Sequence, residues 1–181
     1  MPDAIRIRTL QAVSEREIHE LSDVLIDCVE GGASVSFMLP IARATAIAFW
    51  RSAAAGVERG ERILLAAENA AGGIIGTVQI VLAQPENQPH RADIAKMLVH
   101  RRARRRGAGA ALLAAAEGAA HGAGKTLLVL DTASGDAERL YARLGWQRCG
   151  VIPGYALLPA GGLCDTTFFY RTLGEFYVSK R

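Results

Sequence analysis

Five arginines and two glycines lie close together in the middle of the chain, in a pattern suited to binding phosphate. The arginines fall within positions 101–106, and Gly107 and Gly109 follow them at the predicted start of an alanine-rich helix. Small residues let backbone N–H groups approach an anion, and a helix N-terminus adds partial positive charge. Because no Gly-Lys-Ser/Thr follows the arginines, this is not the usual nucleoside-triphosphate loop. The segment predicts a site for a diphosphate.

The same basic cluster has two alternative interpretations. It could be a solvated turn, or it could meet nucleic-acid phosphates, which would make binding steeply dependent on salt. No aromatic residues interleave with the arginines for stacking on single-stranded bases. The glycines and the following helix favour a small phosphate ligand, so we expect no nucleic-acid partner.

Composition limits the class of protein. The chain has 181 residues, of which 50% are hydrophobic and 22% charged, as expected of one folded domain over residues 1–181. It has no apolar run of the ~18 residues that a membrane span needs, and residues 1–6 lack the apolar core of a signal peptide. Its cysteines, Cys28, Cys149 and Cys164, form no C-x-x-C pair, which is typical of reduced thiols. We expect a cytoplasmic protein without a membrane contact.

Hydrophobic periodicity predicts strands and helices in alternation. The predicted strands are 5–10, 62–68, 74–83, 92–100, 127–130, 146–151 and 166–172. The predicted helices are 14–29, 41–57, 107–121 and 136–144. Ser14 and Glu17 could form a capping box, and a Pro/Gly-rich loop is expected between the last two strands. The order predicts an α/β (α+β) protein with a mixed sheet and helices on its faces.

Two further patterns suggest chemistry that the sequence does not support. Gly122–Thr126 is similar to the end of a Walker A loop, but it precedes a strand instead of opening a helix. We predict a helix C-cap there, with Lys125 on the surface. The four histidines have no paired ligand spacing, so we expect no metal site.

The arginine and glycine segment and a later helix together resemble one enzyme family. Arg104-x-x-Gly107-x-Gly109 resembles the acyl-coenzyme A pyrophosphate loop of the GNAT acetyltransferase superfamily. Ala137-x-x-x-Tyr141-x-x-x-Gly145-Trp146 resembles the tyrosine helix of the same enzymes. The resemblance implies the GNAT fold: a mostly antiparallel sheet of about seven strands, a splayed central strand and about four flanking helices.

Further segments resemble the tabtoxin-resistance acetyltransferases, over roughly residues 5–174. They are Gly31–Met38, Leu98-Val99-x-x-x-x-Arg104, Asp131-Thr132, Pro153-Gly154-Tyr155 and Tyr170–Leu173. That family acetylates the α-amino group of a dipeptide phytotoxin with acetyl-CoA. Two positions depart from the superfamily pattern: Arg101 replaces the usual proline, and Ser134 replaces the usual asparagine.

The resemblance also implies roles for individual residues. The pantetheine arm would pair with the splayed strand at Met97, Leu98 and Val99, and an N–H of Leu98 or Val99 would polarise the thioester carbonyl. Ser134 and Tyr141 would complete the acetyl-CoA site. The loop residues expected to hold the pyrophosphate are Arg104, Arg105, Arg106, Gly107, Ala108, Gly109 and Ala110.

The implied chemistry needs an acid and a base. Tyr141, with a reference pKa of ~10, suits protonation of a departing thiolate. Asp93 on the central strand and Asp131 at the end of the next are candidate bases for the amine. Gly32, Ser34 and Tyr155 are expected to line the acceptor pocket.

The sequence thus predicts transfer of acetyl from acetyl-CoA to a primary amine of a small amino-acid-like or dipeptide antimetabolite. Two alternatives remain. The same fold could acetylate a protein N-terminus, a lysine or a polyamine, or the chain could bind coenzyme A without turnover. The sequence does not predict the oligomeric state.

Overall fold

The computed structural model describes residues 5–174, so residues 1–4, on which part of the leader prediction rests, lie outside it. The strands of the described part are β1 (Arg6–Thr9), β2 (Arg62–Glu68), β3 (Ile74–Val81), β4 (Arg91–Val99), β5 (Leu127–Thr132), β6 (Gln147–Leu157) and β7 (Leu163–Thr172). The α-helices are α1 (Glu15–Glu30), α2 (Arg43–Glu58), α3 (Ala108–Gly122) and α4 (Gly135–Arg143). None of the helices within residues 5–174 combines the length and the apolar character that crossing a bilayer requires.

The seven strands form one mixed sheet in the order β1-β2-β3-β4-β5-β7-β6. Every neighbouring pair is antiparallel except β4 and β5, which are parallel. Together with the four helices, this confirms the predicted GNAT fold. β4 is the middle strand and therefore lies between two halves of the molecule.

The helices bury apolar residues against both faces of the sheet. One core joins α1 and α2 to a face that includes Leu64 and Leu98, with Trp50 fully buried between them. The other joins α3 and α4 to the opposite face through Leu112, Leu113 and Tyr141. The predicted capping box of α1 is present, since Ser14 and Glu17 bond each other's backbone N–H. Both faces of β4 are thus held in place.

The connection between the last two strands differs from the prediction. No long loop joins the last two strands, because β6 continues through Pro153–Tyr155 and only residues 158–162 turn back into β7. Proline is tolerated there because β6 is an edge strand and its pairing with β7 is irregular between Ile152 and Ala156. The prediction of a loop at Pro153-Gly154-Tyr155 is therefore wrong.

The position of Lys125 also differs from the prediction. Its side chain is buried, and its Nζ donates to the carbonyl oxygens of Leu82 (3.0 Å) and Pro89 (2.8 Å). A buried ammonium group needs such acceptors. Lys125 therefore fastens the β3–β4 connection, and the prediction of a surface lysine is wrong.

β4 separates from β5 after a short paired stretch. The two strands pair only from Arg91 to Asp93 on the β4 side, so the rest of β4 has a free edge. On its other edge β4 pairs with β3 through a bulge, where Lys96 and Met97 together oppose Val78. Lys96 adopts a left-handed backbone conformation there, with φ 50°. The splay and the bulge open a cleft in the middle of the sheet.

Candidate active site

A cavity of about 990 Å³ occupies the cleft between β4 and β5. Its walls come from β4, β5, α4, the loop before α3 and the α1–α2 loop, residues 31–42. Fifteen of the predicted site residues line it: Gly32, Ser34, Asp93, Met97, Leu98, Val99, Arg104, Arg105, Gly107, Ala108, Gly109, Ala110, Asp131, Ser134 and Tyr141. Arg106 and Tyr155 do not line it. The cavity thus brings together residues that are distant in sequence.

One end of the cavity has the features of an anion site. Gly107 is the N-cap of α3 with φ 87°, and no side chain caps the helix. The first N–H groups of α3 are therefore available to a ligand. Arg105 also has a left-handed backbone, with φ 60°, and its side chain is exposed at the cavity. This Arg/Gly loop, residues 104–110, fits the diphosphate that the sequence predicts.

Arg104 fixes the loop to the central strand. Its Nε donates to the carbonyl oxygen of Val99 at 3.2 Å, and its Nη2 lies 4.0 Å from the sulfur of Cys28. One edge of the guanidinium group is used in these contacts, so Arg104 both positions the loop and contributes positive charge. The remaining N–H groups can meet an anion.

The basic cluster is partly neutralised by α1. Arg101 donates from its backbone N (2.7 Å) and Nε (3.0 Å) to Asp27, and its Nη2 lies 3.9 Å from Glu30. Burial alone would raise the pKa of Asp27, but the hydrogen bonds from Arg101 outweigh it and the pKa is lowered. Arg101 thus holds the loop to α1 and adds little to a surface for nucleic acid.

The free edge of β4 presents backbone groups to the cavity. The N–H of His100 donates to Ile75 on β3, while the carbonyl of Val99 accepts from Cys28 and Arg104. Successive backbone groups of a strand point to opposite sides, so the N–H of Val99 faces the cleft and that of Leu98 faces β3. Of the two amides predicted to polarise a carbonyl, that of Val99 has the suitable direction.

Tyr141 lies on α4 with its ring deeply buried. Its relative exposure is 4%, and its ring packs against Phe169 (5.6 Å between centroids) and Trp146 (6.0 Å). No group within residues 5–174 hydrogen-bonds its hydroxyl, and the residue lines the cavity. Burial, with a smaller effect of Asp131, raises the pKa of Tyr141 to about 12. The phenol is therefore protonated at neutral pH.

Gly145 explains why α4 ends where it does. With φ 82° it closes the helix, and an added Cβ would lie 2.9 Å from Nη1 of Arg171, which donates to the carbonyl of Leu144 at 2.5 Å. Any side chain at position 145 would displace this bond. The glycine of the Tyr-x-x-x-Gly-Trp pattern thus fixes the end of the helix that carries Tyr141.

Asp131 extends from β5 into the cavity beyond the last β4–β5 pair. Solvent reaches its side chain, yet the surrounding protein atoms remove enough hydration to raise the pKa of its carboxyl group. Lys96 opposes this rise, and Asp93 adds to it. Asp131 is a carboxylate with greater proton affinity than usual, as a base requires.

Asp93, the other candidate base, is already engaged. Its carboxylate forms an ion pair with Arg91, and Nε2 of Gln84 donates to it at 3.0 Å. These contacts tie the β3–β4 connection to the base of the splay. Asp93 lines the cavity, but its oxygens have protein partners.

The predicted acceptor residues have different positions. Gly32, with φ 87°, and Ser34 lie in the α1–α2 loop, where Ser34 donates to the carbonyl of Leu157 at 3.0 Å. The backbone N of Leu39 donates to Pro159 at 2.9 Å. Tyr155 is exposed on β6, and its ring stacks edge-on against Phe168, which lines the cavity. The α1–α2 loop is thus hydrogen-bonded to the end of β6 and to the β6–β7 turn, and both segments contribute residues to the lining of the cavity.

Five charged residues that line the cavity escaped the sequence prediction: Arg91, Lys96, Asp136, Arg139 and Arg143. Arg139 and Arg143 line the cavity from α4, and Lys96 lines it from β4. Lys96 had a signal, because it is the single charged residue between Ile94 and Val99. Arg139 and Arg143 carried no such signal in the sequence, since exposed helical arginines are common.

Within residues 5–174, no group of three or more His, Cys, Asp or Glu side chains is arranged to hold a metal ion.

Comparison with known proteins agrees with this geometry. A family model described as an acetyltransferase (GNAT) domain matches residues 59–148, which include β2 to β5, the Arg/Gly loop and α4. The structure of yncA from Salmonella typhimurium with its cofactor acetyl-CoA is similar with a TM-score of 0.78 and 19% identity, over 98% of this chain and 99% of that one.

Two other solved structures show the same fold. A phosphinothricin acetyltransferase from Sinorhizobium meliloti, in complex with acetyl-CoA, has a TM-score of 0.78 and 18% identity, over 99% of this chain and 93% of that one. A ribosomal-protein-alanine N-acetyltransferase from Brucella melitensis has a TM-score of 0.73 and 22% identity, over 94% of this chain and 99% of that one. The match of the acetyltransferase (GNAT) domain over residues 59–148, just under half of the chain, and the shared fold together support an N-acetyltransferase that uses acetyl-CoA.

Proposed function

We propose that this protein, as one domain, acetylates the primary amine of a small amino-acid-like or dipeptide acceptor in the cytoplasm. Acetylation would inactivate an antimetabolite and so protect the cell. The proposal rests mainly on one observation: a single cavity contains an anion site, a free strand edge, a phenol and a carboxylate. Transfer from a coenzyme A thioester to an amine uses each of these groups.

The acetyl-CoA site would extend along the free edge of β4. The first N–H groups of α3 and the side chains of Arg104 and Arg105 would bind the diphosphate. The backbone of Met97 and Val99 would bind the pantetheine arm. When bound, acetyl-CoA supplies an activated acetyl group at the wide part of the splay.

The protein's own groups would then carry the proton transfers. Asp131 accepts a proton from the ammonium group of the acceptor, directly or through one water molecule. The N–H of Val99 stabilises the negative charge that develops on the carbonyl oxygen. The neutral amine forms a bond to the thioester carbon, the carbon–sulfur bond breaks, and the coenzyme leaves as a thiolate that accepts a hydrogen bond from Tyr141. The second proton of the nitrogen passes to this thiolate through solvent.

The pKa of Tyr141 refines the expected role. A phenol with a pKa of about 12 holds its proton more tightly than a thiol with an ordinary pKa of about 8.5. Tyr141 therefore acts mainly as a hydrogen-bond donor to the thiolate, and full proton transfer is less favourable than its reference pKa of ~10 suggested. The hydroxyl has no protein partner within residues 5–174 to compete for this role.

The size of the acceptor is inferred from the contacts beside the cavity. Ser34 and Leu39 bond the α1–α2 loop to residues 157 and 159, so these two segments meet beside the cavity, which Ser34 and Leu158 both line. This contact would restrict the approach of an extended polypeptide more than that of a small acceptor. The comparisons do not choose the acceptor, because one similar structure is named for phosphinothricin and another for a ribosomal protein.

A screen for consumption of acetyl-CoA tests this proposal. Amino acids, dipeptides, aminoglycosides, polyamines and peptides are offered one at a time, and release of the coenzyme thiol is measured. We expect turnover with amino acids or dipeptides. Turnover only with peptides or polyamines would support the alternative acceptors. Binding of acetyl-CoA without turnover of any amine would support a coenzyme A-binding module.

A further inference from the structure

Lys96 occupies an unusual position at the centre of the cleft. It lies in the β4 bulge with φ 50°, a conformation that is costly for a residue with a Cβ. Regular alternation along β4 would place position 96 on the same face as Ala92 and Ile94, which belong to the α3 and α4 core. The bulge instead puts Lys96 on the α1–α2 side, as its contacts with that side show.

Those contacts hold the ammonium group at the acceptor end of the cavity. Nζ donates to Oγ of Ser36 at 3.2 Å and lies 5.7 Å from the centroid of the Phe49 ring. Ser36 belongs to the α1–α2 loop and Phe49 to α2. Both Lys96 and Ser36 line the cavity.

Within residues 5–174, the charge of Lys96 has no ion-pair partner. No carboxylate in this part of the chain lies within 4.0 Å of Nζ, whereas Arg91 and Arg139, which also line the cavity, form ion pairs with Asp93 and Asp136. Burial lowers the pKa of Lys96, and Asp131 partly offsets this effect. A half-buried cation that faces a cavity and lacks a counter-ion is suited to an anionic ligand.

We infer that Lys96 binds a carboxylate of the acceptor, so that the enzyme acts on amines that also carry a free carboxylate. Asp131 and Lys96 lie in the same cavity with opposite charges and without contact. An amino acid or dipeptide offers the complementary pair, with its amine toward Asp131 and its carboxylate toward Lys96. This inference rests on the proposed function, because it assigns part of the acceptor site of that reaction.

Matched acceptors test the inference. A panel of amino acids and dipeptides is compared with the corresponding C-terminal amides, which keep the amine and lose the negative charge. Initial rates are measured for the wild type, for Lys96→Met, which keeps the apolar stem, and for Arg43→Met. Arg43 is an exposed α2 residue paired with Asp23, and its loss controls for removing a positive charge nearby.

We expect the wild type and Arg43→Met to prefer the carboxylate form by about 10- to 100-fold in kcat/KM, the worth of one charge-assisted hydrogen bond. Lys96→Met should lose this preference through a higher KM for the carboxylate form, with an unchanged KM for acetyl-CoA. A preference that survives in Lys96→Met would overturn the inference. A fall in kcat alone, equal for both acceptor forms, would instead mark Lys96 as a base and would also overturn it.

Binding measurements separate this inference from the proposed function. The affinity of the protein, with coenzyme A present, is measured by calorimetry for each acid and its amide. Tighter binding of acids that depends on Lys96, without turnover, would support the inference and contradict the proposed function. Turnover only of amines without a carboxylate would support acetyl transfer to an amine and contradict the inference about Lys96. Equal binding of acid and amide without turnover would contradict both.

Discussion

Asp131 and Tyr141 share one end of a cavity, and the negative charge of Asp131 adds to the effect of burial in raising the pKa of Tyr141 to about 12. The two residues come from different elements, β5 and α4. The carboxyl group of Asp131 has a raised pKa as well. A carboxylate that accepts protons readily therefore lies near a phenol that keeps its own, an arrangement that separates the roles of base and hydrogen-bond donor.

Replacing Tyr141 by Phe tests the donor role. Because no protein group within residues 5–174 bonds the hydroxyl, its removal should leave folding and the KM for acetyl-CoA nearly unchanged. We expect kcat to fall by about 100-fold, a typical loss for one positioned donor. Steady-state kinetics and a thermal melt measure these effects. An unchanged kcat would remove Tyr141 from the reaction.

The pH profile distinguishes the two candidate bases. A raised pKa means that Asp131 ionises at a higher pH than an ordinary aspartate, so kcat/KM should fall as the pH drops through that raised value. Asp131→Asn should remove this acidic limb and lower kcat/KM by about 100-fold at neutral pH.

Asp93→Asn provides the comparison. It breaks the ion pair with Arg91, so we expect lower thermal stability with the acidic limb retained. If the limb disappears in Asp93→Asn and persists in Asp131→Asn, the assignment of the base is reversed.

Gly107→Glu tests the anion site at the start of α3. A carboxylate there would repel the diphosphate, and we expect the Kd for acetyl-CoA to rise by about 100-fold or more. Gly107→Asn controls for the backbone, since asparagine tolerates φ 87° better than most residues.

A second control places the same charge elsewhere on α3. Gly118 is exposed, and an added Cβ would meet nothing within 4 Å. Calorimetry with Gly118→Glu should give the wild-type Kd. If Gly107→Glu also binds normally, the diphosphate does not bind at this loop.

Lys96→Met should change how stability depends on pH. Burial lowers the pKa of Lys96 in the folded protein, so its positive charge destabilises the fold at every pH below that lowered value. The cost disappears as the pH rises toward the usual lysine value. The melting temperature of Lys96→Met relative to wild type should therefore be higher at neutral pH than at pH 10. A difference that does not vary with pH would contradict this account of Lys96.

Local signals predicted much of the fold. The bounds of β2, 62–68, match the prediction, because its apolar run is flanked by clear turns. The capping box at Ser14 and Glu17 fixed the start of α1. Most of the Arg/Gly loop and Tyr141 line the same cavity, and the sequence singled out both because they lie next to strongly periodic elements.

The remaining features depend on long-range packing. The bulge at Lys96 arises from pairing with β3. Lysine does not by itself predict a left-handed backbone, so no local signal indicated the bulge. Pro153 led to the prediction of a loop, but the residue lies in β6, which is an edge strand and therefore tolerates proline. Lys125 looked exposed because the carbonyls of Leu82 and Pro89 that bind it are more than 30 residues away. Such contacts cannot be read from local composition.

A crystal structure of the protein with acetyl-CoA is the most direct test of the site. We expect the diphosphate on the first N–H groups of α3, the pantetheine arm along the free edge of β4, and the sulfur within hydrogen-bond distance of Tyr141. A cofactor bound elsewhere, or one whose thioester points away from Asp131 and Tyr141, would contradict the account.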